Sequence, residues 1–298
     1  MVNIVRVMLG VLTAIYAVIF AKDYSASSKN GRIASEEEGP LKPGIIGAIA
    51  NFGDTLGIGS FAPIVAMTKF SKMKVHDKEI PGMLNVGCTI PVVTEALIFT
   101  TTIEVEPITL ISMLVAAGAG SYIGAGIISK MDEKKIQLVM GIALLITSIL
   151  MFLSHPWISL MPGGGNEIGL SGVKLVIGVV GNFILGALMT AGIGLYGPCM
   201  ALVYFLGMSP KVAFPIMMGS CAVLMPIASA KFIKEGQYPR KASLWITIGG
   251  IIGVFAATKV IDIMPMDILK MLVVVVILYT SITMLKPILS KKDKVKEL

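Results

Sequence analysis

Two acidic side chains lie where the chain is otherwise apolar. Asp54 falls in the run Asn51-Phe52-Gly53-Asp54-Thr55-Leu56-Gly57-Ile58-Gly59-Ser60, and Glu95 falls well inside the apolar stretch Leu84–Thr102. Ionisable groups in such surroundings are costly to bury and default to a functional role. Either acid is suited to carrying a coupling proton or ion. The alternative is structural: Asp54 caps a half-helix and Glu95 pairs with a polar neighbour. A second run, Thr190-Ala191-Gly192-Ile193-Gly194-Leu195-Tyr196-Gly197, repeats the glycine pattern but aligns Leu188 or Met189 with Asp54. A symmetric pair of carboxylates is therefore excluded.

The glycine runs themselves point to an anion. Glycine lets the backbone turn and leaves amide N–H groups uncovered. Ser60 is placed to cap the half-helix that follows, and Pro63 suits its first turn. A helix N-terminus with free amides carries partial positive charge. Two such ends aimed at one cavity would hold an anionic group without Lys or Arg, and no basic residue lies deep in the apolar stretches. The candidate binding residues at the two runs are Asn51, Thr55, Gly57, Gly59, Ser60, Thr190, Gly192, Gly194 and Tyr196. Cys88, Ser220 and Cys221 join them from stretches that Pro91 and Pro226 break near their middles, freeing the carbonyls of Gly87 and Ala222. Against this stands simple helix packing for Gly-x-Gly, and interhelical hydrogen bonding for Asn51.

Other chemistries find little support. His76 and His155 fall in loops expected on opposite faces, so they form no joint metal site. Cys88, Cys199 and Cys221 all lie in apolar stretches and read as buried thiols rather than a disulfide framework. There is no phosphate-binding Gly-Lys-Ser/Thr loop, no His-Glu-x-x-His and no Ser/His/Asp constellation. The chain reads as a non-enzyme without cofactor or metal.

What must hold these residues is a membrane bundle. Of 298 residues, 55% are hydrophobic and only 14% charged, against about 25% charged in a soluble domain; mean hydropathy is +0.86. Such a surface faces lipid. The net charge of +7 sits in short loops and the C-terminal tail, as orientation signals rather than a nucleic-acid footprint. Stretches long enough to span are Ile4–Ala21, Leu84–Thr102, Ile108–Ser129, Ile136–Leu153, Val212–Ile233, Ser243–Ile261 and Ile268–Leu289. The first is read as a retained helix. Pro43–Phe70 and Val173–Leu206 are interrupted by the glycine runs, each too long for one helix and too short for two spans.

The halves repeat. Gly57-Ile58-Gly59 with Pro63 recurs 135 residues later as Gly192-Ile193-Gly194 with Pro198, the same offset carries Pro91 to Pro226, and Gly120 and Gly124 recur as Gly249 and Gly253. The organisation is therefore an N-terminal helix and charged loop (1–42), a first repeat (43–154), a linker (155–172), and a second repeat with a basic tail (173–298). Lys69, Lys72, Lys74 and Lys78 mark a cytoplasmic loop, as do Lys130, Lys134 and Lys135, then Lys231, Lys234, Arg240 and Lys241, then the tail. The linker from Ser154 to Gly172 lacks Lys and Arg and reads as external. These assignments close only if the interrupted segments enter and leave on one face. The predicted fold is all-α: two inverted-topology repeats, about seven full spans and two re-entrant hairpins.

Two halves that each open on a Gly-x-Gly break followed by Pro resemble the sulfite exporter TauE/SafE family of anion permeases. The similarity covers about residues 43–289. It implies passage of sulfite or organosulfonates across the cytoplasmic membrane of a prokaryote, ion-coupled, with the C-terminus cytoplasmic. The expectation is a secondary transporter for a small sulfur-containing anion, with alternating access around the two breaks. The rival is a passive channel of the same architecture, since opposed half-helices also line pores. Beyond substrate and lipid bilayer, small-residue faces permit a homodimer.

Overall fold

The computed structural model describes residues 2–99, 104–153, 165–192 and 194–260, with single positions at 155, 158 and 160 and between 271 and 286. The helices are α1 (Val2–Lys29), α2 (Leu41–Thr55), α3 (Phe61–Phe70), α4 (Ile80–Phe99), α5 (Pro107–Ile128), α6 (Glu133–Leu153), α7 (Gly172–Met189), α8 (Tyr196–Phe205), α9 (Pro210–Glu235) and α10 (Arg240–Val260). Among the described residues, six are long and apolar enough to cross a membrane, within Val5–Lys29, Asp77–Ile98, Pro107–Ile128, Gly172–Met189, Val212–Glu235 and Arg240–Lys259. The expected span Ile268–Leu289 and the basic tail fall largely outside the described residues, as does much of the linker. α7 departs from expectation: read as half of a hairpin, it is by itself 18 residues long and apolar enough to span.

Both interrupted segments fold back on themselves. Before α2, the Glu38 carboxylate accepts a hydrogen bond from the Lys74 amide, which follows α3, at 2.7 Å. Before α7, the Glu167 carbonyl accepts from the Ser209 amide, which follows α8, at 2.8 Å. Small residues let the second pair close: a Cβ built on Gly181 of α7 would lie 2.8 Å from Leu202 of α8.

The helices then pack in exchanged pairs. α2 of the first half lies against α10 of the second, and α7 of the second lies against α5 of the first. Glycine permits both approaches. A Cβ on Gly120 would stand 1.9 Å from the Phe183 carbonyl oxygen, and one on Gly249 would stand 1.9 Å from that of Gly44. Gly124 faces Ala187 and Gly253 faces Ala48 in the same way. Backbone contact of this kind replaces hydrophobic driving force between helices in lipid. α4 and α9 cross between the two pairs, and Thr89 and Ser229 share a hydrogen bond of 2.9 Å at their contact.

Pro91 and Pro226 do not break their helices, contrary to expectation. α4 and α9 run through them, and through Pro215. A proline removes one ladder bond, and neighbouring side chains satisfy the loosened backbone. At Pro91 the freed carbonyl is that of Gly87, and Thr247 Oγ1 donates to it at 2.8 Å; close by, Tyr16 OH donates to the Val86 carbonyl at 2.7 Å, and near Pro226 Ser121 Oγ donates to that of Leu224 at 3.1 Å.

The polar ends differ in chemistry. At one end the basic loops gather. Glu36 accepts from the amides of Arg240 and Lys241 at 2.8 and 2.7 Å, Asp23 pairs with Arg240 at 2.8 Å, and Asp77 binds Lys69 and Gln137. At the other end, Glu106 caps α5 through the amides of Ile108 and Thr109 and its own amide donates to the Ile168 carbonyl.

Candidate functional site

The first break follows α2 because Gly57 and Gly59 adopt φ of +84° and +89°, conformations that side chains rarely take. The second follows α7, with Gly192 at φ +98°. Ser60 does not cap α3 as expected. Its own backbone is helical, and its hydroxyl donates instead to Asp54 Oδ2 at 2.7 Å. Its hydroxyl hydrogen goes to the carboxyl six residues earlier, and no amide of α3 donates to its oxygen.

The breaks meet at Glu95, a fully buried residue of α4. Thr55 Oγ1, in the last turn of α2, lies 2.8 Å from Glu95 Oε1 and also 2.8 Å from the Asn51 carbonyl oxygen. The Tyr196 hydroxyl, on the first residue of α8, lies 3.4 Å from Glu95 Oε2. Asp54, 2% exposed, is near enough to interact electrostatically with Glu95 and with Tyr196. The ion pairs of the described residues lie at the polar ends, and none includes Asp54 or Glu95.

Thiols flank this centre in a near-symmetric way. Asn51 Nδ2 approaches Cys88 Sγ of α4 at 3.8 Å, and at the matching end of α7 Cys221 Sγ of α9 lies 3.7 Å from Met189 Sδ. Asn51 also donates to the Gly47 carbonyl at 2.9 Å, which leaves its buried Oδ1 without a partner. Two residues singled out in the sequence point elsewhere. Thr190 donates to the Ala187 carbonyl at 2.7 Å and lies against Gly124 of α5. Ser220 receives a hydrogen bond from Asn182 Nδ2 at 2.8 Å. Gly194 lies in the second break between α7 and α8. Asn182 and Met189 were not singled out in the sequence. Asn182, a lone amide inside an apolar stretch, was the available signal for the first; the second stood out only as a residue aligned with Asp54.

Chemically the site offers hydroxyls, carboxyls, thiols and two helix starts, all screened from water. It has the means to exchange protons and to present amide dipoles. Among the described residues no group of His, Cys, Asp and Glu could hold a metal ion.

The family model for sulfite exporter TauE/SafE matches residues 2–151 and 174–297. Comparison with curated proteins and with solved structures found no match. Matched on both sides of the linker and over most of its length, the chain belongs to the sulfite exporter TauE/SafE family of membrane proteins, which implies transport of sulfur-containing anions.

Proposed function

We propose that this protein is a secondary carrier for a small sulfur-containing anion, in the sulfite, sulfonate or organosulfonate class, working by alternating access. The observation that carries the reading is the convergence of both breaks on Glu95, through Thr55 from one hairpin and Tyr196 from the other. Discontinuous helices in matched positions of two repeats are the usual pointer to a transport site. The starts of α3 and α8 would present their amides to the anion, and Asn51, Thr55, Ser60, Cys88, Tyr196 and Cys221 would surround it. One hairpin opens among the basic loops and the other at the opposite end, which supports an inverted arrangement of the repeats. The basic end would face the cytoplasm and the hairpins would be re-entrant.

The exchanged packing supports a particular division of the moving parts. α2, α4 and α10 pack together, as do α5, α7 and α9. Each unit draws helices from both repeats, and the α4–α9 contact would be where they rock.

The test is flux in proteoliposomes. Labelled sulfite, taurine and thiosulfate are offered under an imposed gradient, beside sulfate, acetate and a neutral amino acid. Saturable accumulation of a sulfur anion against its gradient is expected, reduced at least tenfold in Asn51→Ala. Accumulation of the neutral compound alone would overturn the anion reading, and flux that never exceeds equilibration would make the protein a channel.

A further inference from the structure

Thr55 has one hydroxyl hydrogen for two neighbouring oxygens, and a hydrogen on Glu95 would let both contacts be made in full. A threonine hydroxyl has a single hydrogen to give. Thr55 Oγ1 lies 2.8 Å from two oxygens, the Asn51 carbonyl and Glu95 Oε1. A carbonyl oxygen only accepts, so the hydroxyl hydrogen has one natural destination there, as is common for threonine in a helix. The second contact then needs its hydrogen from the other side, from a carboxylic acid at Glu95. The groups facing Glu95 agree with this. They are Asp54 on α2, Tyr196 on α8, Cys88 on α4 itself and Cys221 on α9. All are acids or neutral groups, and among the described residues no Lys, Arg or His joins them.

The acids also stand where the substrate should go. Asp54 is held by Ser60 at the start of α3, and Glu95 touches Tyr196 at the start of α8. A carboxylate about 4 Å from a bound anion, at an effective dielectric constant near 20, weakens binding about a thousandfold. A neutral acid instead removes that repulsion and offers a donor.

Resting on the carrier reading above, we propose that Glu95 is the group that takes up and releases a co-transported proton, and that it is protonated in the arrangement described. Anion and proton then bind together. Loss of the proton from Glu95 Oε1 leaves a carboxylate that repels the anion and takes the Thr55 hydrogen. Because Glu95 contacts both hairpins, this one event loosens its bond to each break or tightens it.

The experiment measures binding to the full-length purified protein by calorimetry from about pH 5 to pH 9. The probes are methanesulfonate and thiosulfate, whose charges stay constant over that range. Wild type is expected to lose affinity about tenfold per pH unit above a midpoint. Glu95→Gln, a neutral mimic of the acid, should bind with a flat profile, exchange labelled for unlabelled anion, and fail to accumulate it under a pH gradient. An unchanged slope in Glu95→Gln, or a flat one in Asp54→Asn instead, would place the proton elsewhere and overturn the proposal. Thr55→Val covers the case in which Glu95→Gln does not fold. Loss of the acceptor for the acid's hydrogen should move the midpoint to lower pH, whereas a move to higher pH means Thr55 donates to a carboxylate, against the proposal. A wild type that binds these probes with no pH dependence sinks this inference alone, while one that binds no sulfur anion sinks the carrier reading and this one with it.

Discussion

Replacing Gly120 with alanine should unseat α5 from α7. The added Cβ would stand 1.9 Å from the Phe183 carbonyl oxygen, 2.9 Å from its carbon and 3.1 Å from the Ala187 amide nitrogen, where ordinary contact begins near 3.4 Å. The obstacle is helix backbone, which cannot swing aside as a side chain would. Relief requires the axes to part by about 1.5 Å, which strips dispersion contacts along both helices. Overpacking of this kind costs about 1–3 kcal/mol, or roughly 5 °C in melting temperature for a chain of this size. The assay is loss of monodisperse protein on heating in mild detergent. Gly249→Ala makes the equivalent clash against Gly44, at 1.9 Å, and should match it. Gly10→Ala, with no heavy atom within 4 Å of the new Cβ, is the control and should leave the melting unchanged or raise it. If Gly120→Ala and Gly10→Ala melt together, close backbone contact does not hold this bundle, and the account of the exchanged pairs is wrong.

Other outcomes follow from individual contacts. Tyr196→Phe removes the hydroxyl that joins the second hairpin to Glu95; it should lower flux at least tenfold while shifting melting by only a degree or two, and equal flux would remove Tyr196 from the site. Glu36→Gln weakens the carboxylate cap on the amides of Arg240 and Lys241 and should cost about 0.5–2 kcal/mol, read as a lower melting temperature with substrate binding retained. Glu106 accepts hydrogen bonds from the Thr109 hydroxyl and from the amides of Thr109 and Ile108, which hold its carboxyl below the ordinary 4.5. A depressed value in the fold means this stabilisation is present above about pH 4.5 and is lost as pH falls through the folded value. Melting of wild type should therefore drop in that acid window more than melting of Glu106→Gln.

Much of the bundle was legible because membrane helices advertise themselves by length. The recurrence of Gly-x-Gly before Pro located both breaks, and the recurring Gly120/Gly124 and Gly249/Gly253 pairs turned out to be the contact surfaces of the exchanged helices. Among the described residues the basic loops lie at one end, as loop charge indicated, while the basic tail falls outside them. Which helices exchange was hidden, because a glycine announces close approach without naming its partner. Pro91 misled for a related reason: the carbonyl it frees, that of Gly87, is met by Thr247, far away in sequence. At the site, Asp54 and Glu95 stood out as buried acids. Their meeting with Tyr196 could not be read, since Glu95 and Tyr196 are 101 residues apart. Ser60 was assigned to a helix start when a carboxyl six residues away claimed it.

The exchange of α2 and α7 between halves also bears on how the protein is made. α2 leaves the ribosome about 200 residues before α10, the helix whose Gly249 and Gly253 it must seat. At roughly 5–20 residues per second that is a wait of about 10–40 s. During it, Gly44 and Ala48 have no partner, and the half-built bundle exposes a small-residue groove to lipid and to the insertion machinery. Neither half can reach its final packing by itself, because α2 gains its partner only when α10, far along the chain, docks on it.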